Sequence, residues 1–410
     1  MPIETTPGIE YEELESNPNL SGEGGEIAVL CGITTNTGNP SKMFKFYSYD
    51  QAEADSAHGG ILNPNNSNPN LSLEILKDFF TESAKDSTED IGVNYVYFID
   101  MGANPTTMDW LTAMATIKRQ SEIQVESYVG TSDVSLMESC YTLLKAEAKR
   151  GNPRIAYYTK YNKRITQQAS TTTDEETHES ITIPEEYVFD LAPDSELISL
   201  TSSLENDTIN RSRIGIIEPD KFGKHLARIC VTPYYVEPGF LEYRTVKPGE
   251  FKNRTDDEET ALQNAGIIFG RDEVTRKKTY PKICLGVSTA TGLLPRNRPN
   301  DHLLHARRNT DNLIRNIYDT CYEQLKNNED TDNLPHLQTD IDDVIDEEIR
   351  LKRMNRSTKN SPGTSAKVKE SDSNPYNIMI DGVSQPVNHT HGIRFGMYIA
   401  APSATIEDQI

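Results

Sequence analysis

The sequence predicts an α/β fold (α+β overall), with a mostly parallel core sheet and an extended β arm at each end. Three observations predict it. Apolar runs of strand length alternate with helical patterns between residues 91 and 231, the signature of strands joined by helical crossovers. Residues 1–26 hold seven glutamates (4, 10, 12, 13, 15, 23 and 26), no Lys or Arg, and no helical stripe. A further strand-like stretch, Ile393–Ala400, lies at the far end behind a loop-like sequence.

Pro7-Gly8-Ile9-Glu10-Tyr11-Glu12-Glu13-Leu14 carries β-type residues and reads as an extended arm; a disordered acidic tail is the other reading of this composition. A short apolar strand follows at Glu26–Thr34, then the turn residues Asn36-Thr37-Gly38-Asn39-Pro40. Residues 59–70, rich in Gly, Asn and Pro, form a loop before a helix over Leu71–Ala84, whose Leu76, Phe79 and Phe80 mark a buried stripe. Strands are expected at Val93–Ile99, Gln124–Val129, Arg154–Tyr158 and Arg213–Ile217. Between them lie helices at Met108–Lys118 and Val134–Lys149, and after them one at Phe222–Ile229. The Ser/Thr-rich stretch 165–183 interrupts the alternation and reads as an exposed loop or hairpin insertion.

Beyond 232 the chain is irregular, with a short helix at Glu258–Ala265 and a buried strand at Ile283–Val287. The strongest helical pattern covers 303–326, with Ile314, Ile317, Tyr318, Cys321 and Leu325 at helical spacing. A second helix is expected over 340–354. Nine acidic and no basic residues lie between Glu329 and Glu348, and seven basic and no acidic ones between Arg350 and Lys369. That switch suits the helix dipole, and a solvated linker after the helix is its plain reading. Residues 356–374 have loop composition, Tyr376–Ile380 reads as a strand, and Asp381-Gly382 as a hairpin signal. The expected divisions are 1–24, 25–90, 91–231, 232–383 and 384–410.

Composition narrows function. The net charge is −22, so DNA, RNA and anionic lipid would be repelled unless a local basic patch intervened. No apolar stretch approaches the length needed to span a membrane, and no signal peptide is visible, so folding in a cytoplasm is expected. Cys31, Cys140, Cys230, Cys284 and Cys321 are widely spaced, and they read as reduced core residues. No phosphate-binding glycine loop, HExxH or CxxC is present. His389 and His391 form a lone HxH pair without a third metal ligand nearby, and His302 and His305 read as surface or packing residues. Gly286-Val287-Ser288-Thr289-Ala290 is an incomplete nucleophile elbow, with Ala for the last Gly. Asp100 closes an apolar strand, where open α/β sheets place functional carboxylates. No catalytic constellation forms. A soluble α/β enzyme, hydrolase-like through Ser288 or Asp100, stays as the alternative to a protein that works through its surfaces.

The order of segments resembles the tail sheath family of contractile phages and related injection machines. The resemblance rests on the opening Thr6–Glu13, on the helix ending in Phe79-Phe80 before a strand, on Leu262-Gln263-Asn264-Ala265-Gly266-Ile267, on Arg307-Arg308 opening a long helix, and on the final Gly392–Ala400. The family's glycine-alanine-arginine-threonine stretch before the long helix is replaced by Gly286–Thr291. The resemblance implies a structural subunit without cofactor, polymerising as stacked rings or a helix around an inner tail tube protein, with baseplate and tail terminator proteins as further partners. It implies a place in a virion tail, assembled in a host cytoplasm, and contraction that drives the tube through a cell envelope. Direct nucleic-acid contact and membrane insertion are not expected. Inter-subunit arms would use Pro7, Gly8, Ile9, Tyr11 and Leu14, and Ile393, Phe395, Met397 and Ile399. Arg350, Lys352 and Arg353 would face the tube. Residues 25–90 would form part of the inner core. A non-sheath tail or baseplate subunit is the other reading, and virus, bacteriocin and cellular injection system stay open.

Overall fold

A computed structural model describes residues 25–34, 38–54, 71–84, 93, 95–131, 133–168, 170–173, 180–183, 186–204, 212–274, 278–290, 303–327, 334–358, 363–371 and 374–387. The expected arms at 7–14 and 393–400, His302, His389 and His391 lie outside these residues.

Strand β1 (Ala28–Gly32) is buried at every position, which explains its unbroken apolar sequence. It pairs in parallel with both β3 (Val96–Asp100) and β4 (Val125–Val129). Strands β5 (Ile155–Thr159), β10 (Ile214–Ile217) and the two-residue β11 (Ile267–Ile268) extend the parallel ladder. On the opposite edge β2 (Met43–Phe46) runs antiparallel to β3. The order is β11-β10-β5-β4-β1-β3-β2, so one sheet draws strands from residue 28 to residue 268.

Alternate residues of β1 enter different cores. Ala28 and Leu30 meet α2 (Leu71–Ser83) and α6 (Phe222–Val231), through Leu73, Leu76, Phe79, Phe222 and Leu226. Val29 and Cys31 meet α3 (Thr107–Ile117), α4 (Val134–Lys149) and α5 (Asp194–Ser202), through Trp110, Met114, Met137, Cys140 and Leu197. The result is a three-layer α/β/α body. Helices α2 and α6 approach closely because Gly223 leaves room: a Cβ there would stand 2.2 Å from the Ile75 carbonyl oxygen. A short helix α1 (Tyr49–Ala54) precedes α2, and α7 (Asp256–Ala265) precedes β11. Thr255 and Glu258 form a capping box at the start of α7, and Gly266 ends it in the left-handed region at φ 75°.

The insertion after β5 is a long hairpin. Strand β6 (Tyr161–Gln167) pairs with β9 (Glu186–Leu191), and β7 (Ser170–Thr173) with β8 (Ser180–Ile183). The expected strand at Ile283–Val287 is displaced. Strand β13 is Thr279–Ile283, antiparallel to β12 (Gly270–Val274), and its Pro281 fits a two-stranded ribbon. The apolar run beyond it is used otherwise: the Cys284 amide donates to the Phe269 carbonyl, and the Leu304 amide to the Gly286 carbonyl.

The C-terminal part pairs α8 (Leu304–Asn327) with α9 (Leu334–Arg350), around a separate small core of Leu313, Ile317, Cys321, Leu337, Ile341 and Ile345. Helix α9 begins six residues before the expected 340 and ends four before the expected 354. Pro335 is accommodated in its first turn, where no intrahelical donor is needed. Residues 365–371, expected as loop, form β14 (Ser365–Ser371), antiparallel to β15 (Asn374–Val383). Asp381-Gly382 is therefore inside a strand, opposite Lys367 and Ala366, and not a turn. Strand β14 escaped notice because its apolar residues are only Ala366 and Val368, both packed against the α8–α9 core. All five cysteines are buried and free.

Candidate assembly surfaces

Chain order reverses between β1 and β4: β1 is followed by β3 on one side of it, and β4 by β5 on the other. This is where open α/β sheets hold ligands. A cleft of about 470 Å³ opens there, lined by Ile33, Trp110, Thr131, Leu136, Tyr161 and Phe189 among others. The nearby Asp100 is buried and structural. Its carboxylate accepts from the Thr34 hydroxyl at 2.5 Å and the Gly102 amide at 2.9 Å. Burial raises its pKa, against those two hydrogen bonds. Ser288 is likewise buried, and its carbonyl oxygen would lie 2.3 Å from a Cβ at residue 266, which is why Gly stands there. His305 is fully buried, so of its two expected roles the structure shows packing. Its Nδ1 meets the Glu237 carboxylate at 2.7 Å, and the other oxygen of Glu237 accepts from the Gly286 amide at 2.5 Å. These groups brace loops; they do not converge on one reacting atom.

Buried charge instead ties α8 to the sheet. Arg154 and Arg213 each stand just before a strand of the parallel ladder, β5 and β10. Arg213 donates twice to Asp311 of α8, at 2.7 and 2.8 Å, and once to the Arg154 carbonyl at 3.1 Å. Arg154 pairs with Glu126 at 3.3 Å. Glu218, at the end of β10, accepts from the Gly270 amide at 2.6 Å and from Arg254 at 2.5 Å, and meets His225 at 3.1 Å. Burial alone would raise its pKa, but His225, Arg254 and that amide outweigh it and hold it below 4.5. Sequence reasoning missed this network. Its one local signal was an arginine directly before an apolar strand.

The basic cluster sits at the end of α9. Arg350, its last residue, is exposed and forks onto Glu347 at 2.5 and 2.6 Å. Lys352 is exposed and left-handed, at φ 58°. The Lys352 amide donates to the Ile349 carbonyl and the Arg353 amide to that of Glu348, both at 3.0 Å, a Schellman ending without glycine. Arg353 turns inward. It donates to the Tyr234 hydroxyl at 2.6 Å and stacks its guanidinium 4.5 Å from the Tyr235 ring centre. Arg350 and Lys352 thus point to solvent, while Arg353 is spent largely on the subunit's own packing.

Beside this cluster stands the β14–β15 hairpin. One face, carrying Ala366 and Val368, covers the α8–α9 core. Among the described residues each strand pairs only with the other, but the outer edge of β14 is partly covered: the Gln338 side chain of α9 donates to the Ala366 carbonyl at 3.0 Å and accepts from the Val368 amide at 2.8 Å, leaving β15 with the more open edge. A two-stranded ribbon is marginal by itself, and open edges are templates for a further strand.

No described family and no curated protein matches the sequence. Solved structures do match the fold, over nearly the whole length. A chain of the anti-feeding prophage (AFP) baseplate superposes with a TM-score of 0.60 at 11% identity, covering 97% of this chain and 100% of that one. The AFP helical sheath in its contracted state gives 0.57 at 12% identity, covering 97% and 99%. The sheath complex of an extracellular contractile injection system (PVC), also contracted, gives 0.58 at 10% identity, covering 100% of both chains. The chain has the fold of contractile sheath proteins.

Proposed function

We propose that this chain is a structural subunit of a contractile sheath, one that polymerises with copies of itself around an inner tube and contracts to drive that tube through a target envelope. One observation carries the reading: the fold agrees from end to end, without a large missing or added domain, with sheath chains solved in assembled machines. The buried, structural use of Asp100 and His305 fits a protein that does no chemistry. A baseplate subunit of the same fold is the second reading, favoured by the 0.60 match to an AFP baseplate chain. Negative-stain microscopy of the purified chain separates them. Long tubes are expected; a small, discrete oligomer under every assembly condition would overturn the sheath reading.

The inter-subunit bonds are assigned to the two ends. Residues 7–14 and 393–400 of neighbouring copies would add as strands at the outer edge of β15, with backbone hydrogen bonds carrying the link. Deleting residues 1–14 should leave a folded, soluble subunit that forms no tubes. Tubes of normal length from the deletion variant would remove the arm from the account. Arg350 and Lys352 are assigned to the tube, since they are the solvent-facing members of the cluster. Arg350→Glu with Lys352→Glu should release the tube while tubes of sheath alone still form. Undiminished co-assembly would place the tube contact elsewhere.

A further inference from the structure

The two places where the described body ends are held by three successive residues of one turn of α8. At the amino end, Glu26 binds Arg308, with Oε2 2.9 Å from Nε, and the arginine is fully buried. At the carboxyl end, the Asn309 side-chain amide donates to the Arg353 carbonyl at 2.7 Å, and that carbonyl also accepts from the Val387 amide at 2.9 Å. Thr310 then meets the Ser384 hydroxyl at 2.9 Å. A second route closes the ring. The Glu26 amide donates to the Cys230 carbonyl at 2.8 Å, Arg308 donates to the Thr232 carbonyl at 2.5 Å, and the Tyr234 hydroxyl accepts from Arg353. The strap 230–234 therefore touches both ends as well.

We propose that Arg308, Asn309 and Thr310 form a shared root that couples the segment before Gly25 to the segment after Val387, so that docking of one end on a neighbouring copy tightens the other. The proposal rests on the sheath reading for its purpose, but the coupling itself is a property of the free subunit. Glu26 cannot shift without freeing a buried guanidinium, which would pull on the helical turn that carries Asn309. Loss of Asn309 in turn loosens the carbonyl that anchors Val387. Coupling between two sites is reciprocal, so a perturbation at either end must be read at the other.

Hydrogen–deuterium exchange on the free, full-length subunit tests it. Glu26→Gln should speed exchange in the peptide containing Val387 by about fivefold or more, the lower end of ordinary coupling factors. Exchange in β10 (Ile214–Ile217) should stay unchanged. Asn309→Ala should do the converse, speeding exchange around Glu26, and it decides the matter alone if Glu26→Gln does not fold. An effect confined to the mutated end, or one of equal size in β10, would overturn the proposal. Failure of the wild-type chain to form tubes would sink the sheath reading yet leave the exchange result standing.

Discussion

At the scale of single residues, Lys352 is an exception with a measurable cost. A side chain in the left-handed region is disfavoured by about 1–2 kcal/mol, and glycine is the usual residue at this cap. Lys352→Gly should therefore stabilise the subunit by about 1 kcal/mol, seen as a higher urea midpoint. It should also weaken tube attachment if the charge is used there. No gain in stability would mean that the left-handed backbone at Lys352 costs the fold little. Glu218 gives the pH dependence. Its carboxyl lies below 4.5 in the folded chain, so its contribution is present above about pH 4.5 and is lost as pH falls through the folded value. Asp194, held down by Arg254 and Lys252 despite its burial, acts in the same direction. Asp100 and Glu348, raised by burial, act in the opposite one. Glu218→Gln should lower stability at pH 7 and flatten the loss of stability as pH falls below about 4.5; an unchanged acid limb would show that other groups control it. Such residues were not legible beforehand. Glu26 and Arg308 are 282 positions apart, and nothing in either neighbourhood announces the other.

Elements were far more legible, for a physical reason. Strands covered on both faces must be apolar throughout, so β1, β3 and β5 announced themselves as runs. Amphipathic α2 and α4 showed their buried stripes, and Gly266 marked the end of α7; in α8 Ile317 and Cys321 are buried as expected, but Tyr318 is exposed and Leu313 takes the inner position. What failed were parts of ribbons. Tyr376–Ile380 was legible within β15, but β14 buries one sparse face and β13 spends its apolar tail on loop contacts, so neither of these carried a clean period of two. The α8–α9 unit has its own core, which leads to a prediction. Ile341 is fully buried there. Ile341→Ala should cost about 2–5 kcal/mol. The loss should appear first as faster amide exchange in α9 and β14, while the β1–β3 ladder stays protected. Simultaneous loosening of both would make the two cores one cooperative unit.

For the molecule as a whole, the sequence signalled an α/β body with a mostly parallel core sheet, and the fold agrees. The candidate site was legible only in part. The basic switch at Arg350 was visible, but its division into outward Arg350 and Lys352 and inward Arg353 depends on Tyr234 and Tyr235, more than a hundred positions earlier. The hairpin's first strand, β14, had been read as loop.

The rooting of Glu26 and Val387 on one helical turn has a topological meaning as well. The described body is entered and left beside the same turn of α8. A short flexible linker could join the two roots, and new termini could be opened beside Val274, which is 77% exposed. A circular permutant of that kind would keep the parallel sheet and both of its cores while lacking the segments before Gly25 and after Val387. If the terminal segments carry assembly as proposed, it would fold and form no tubes.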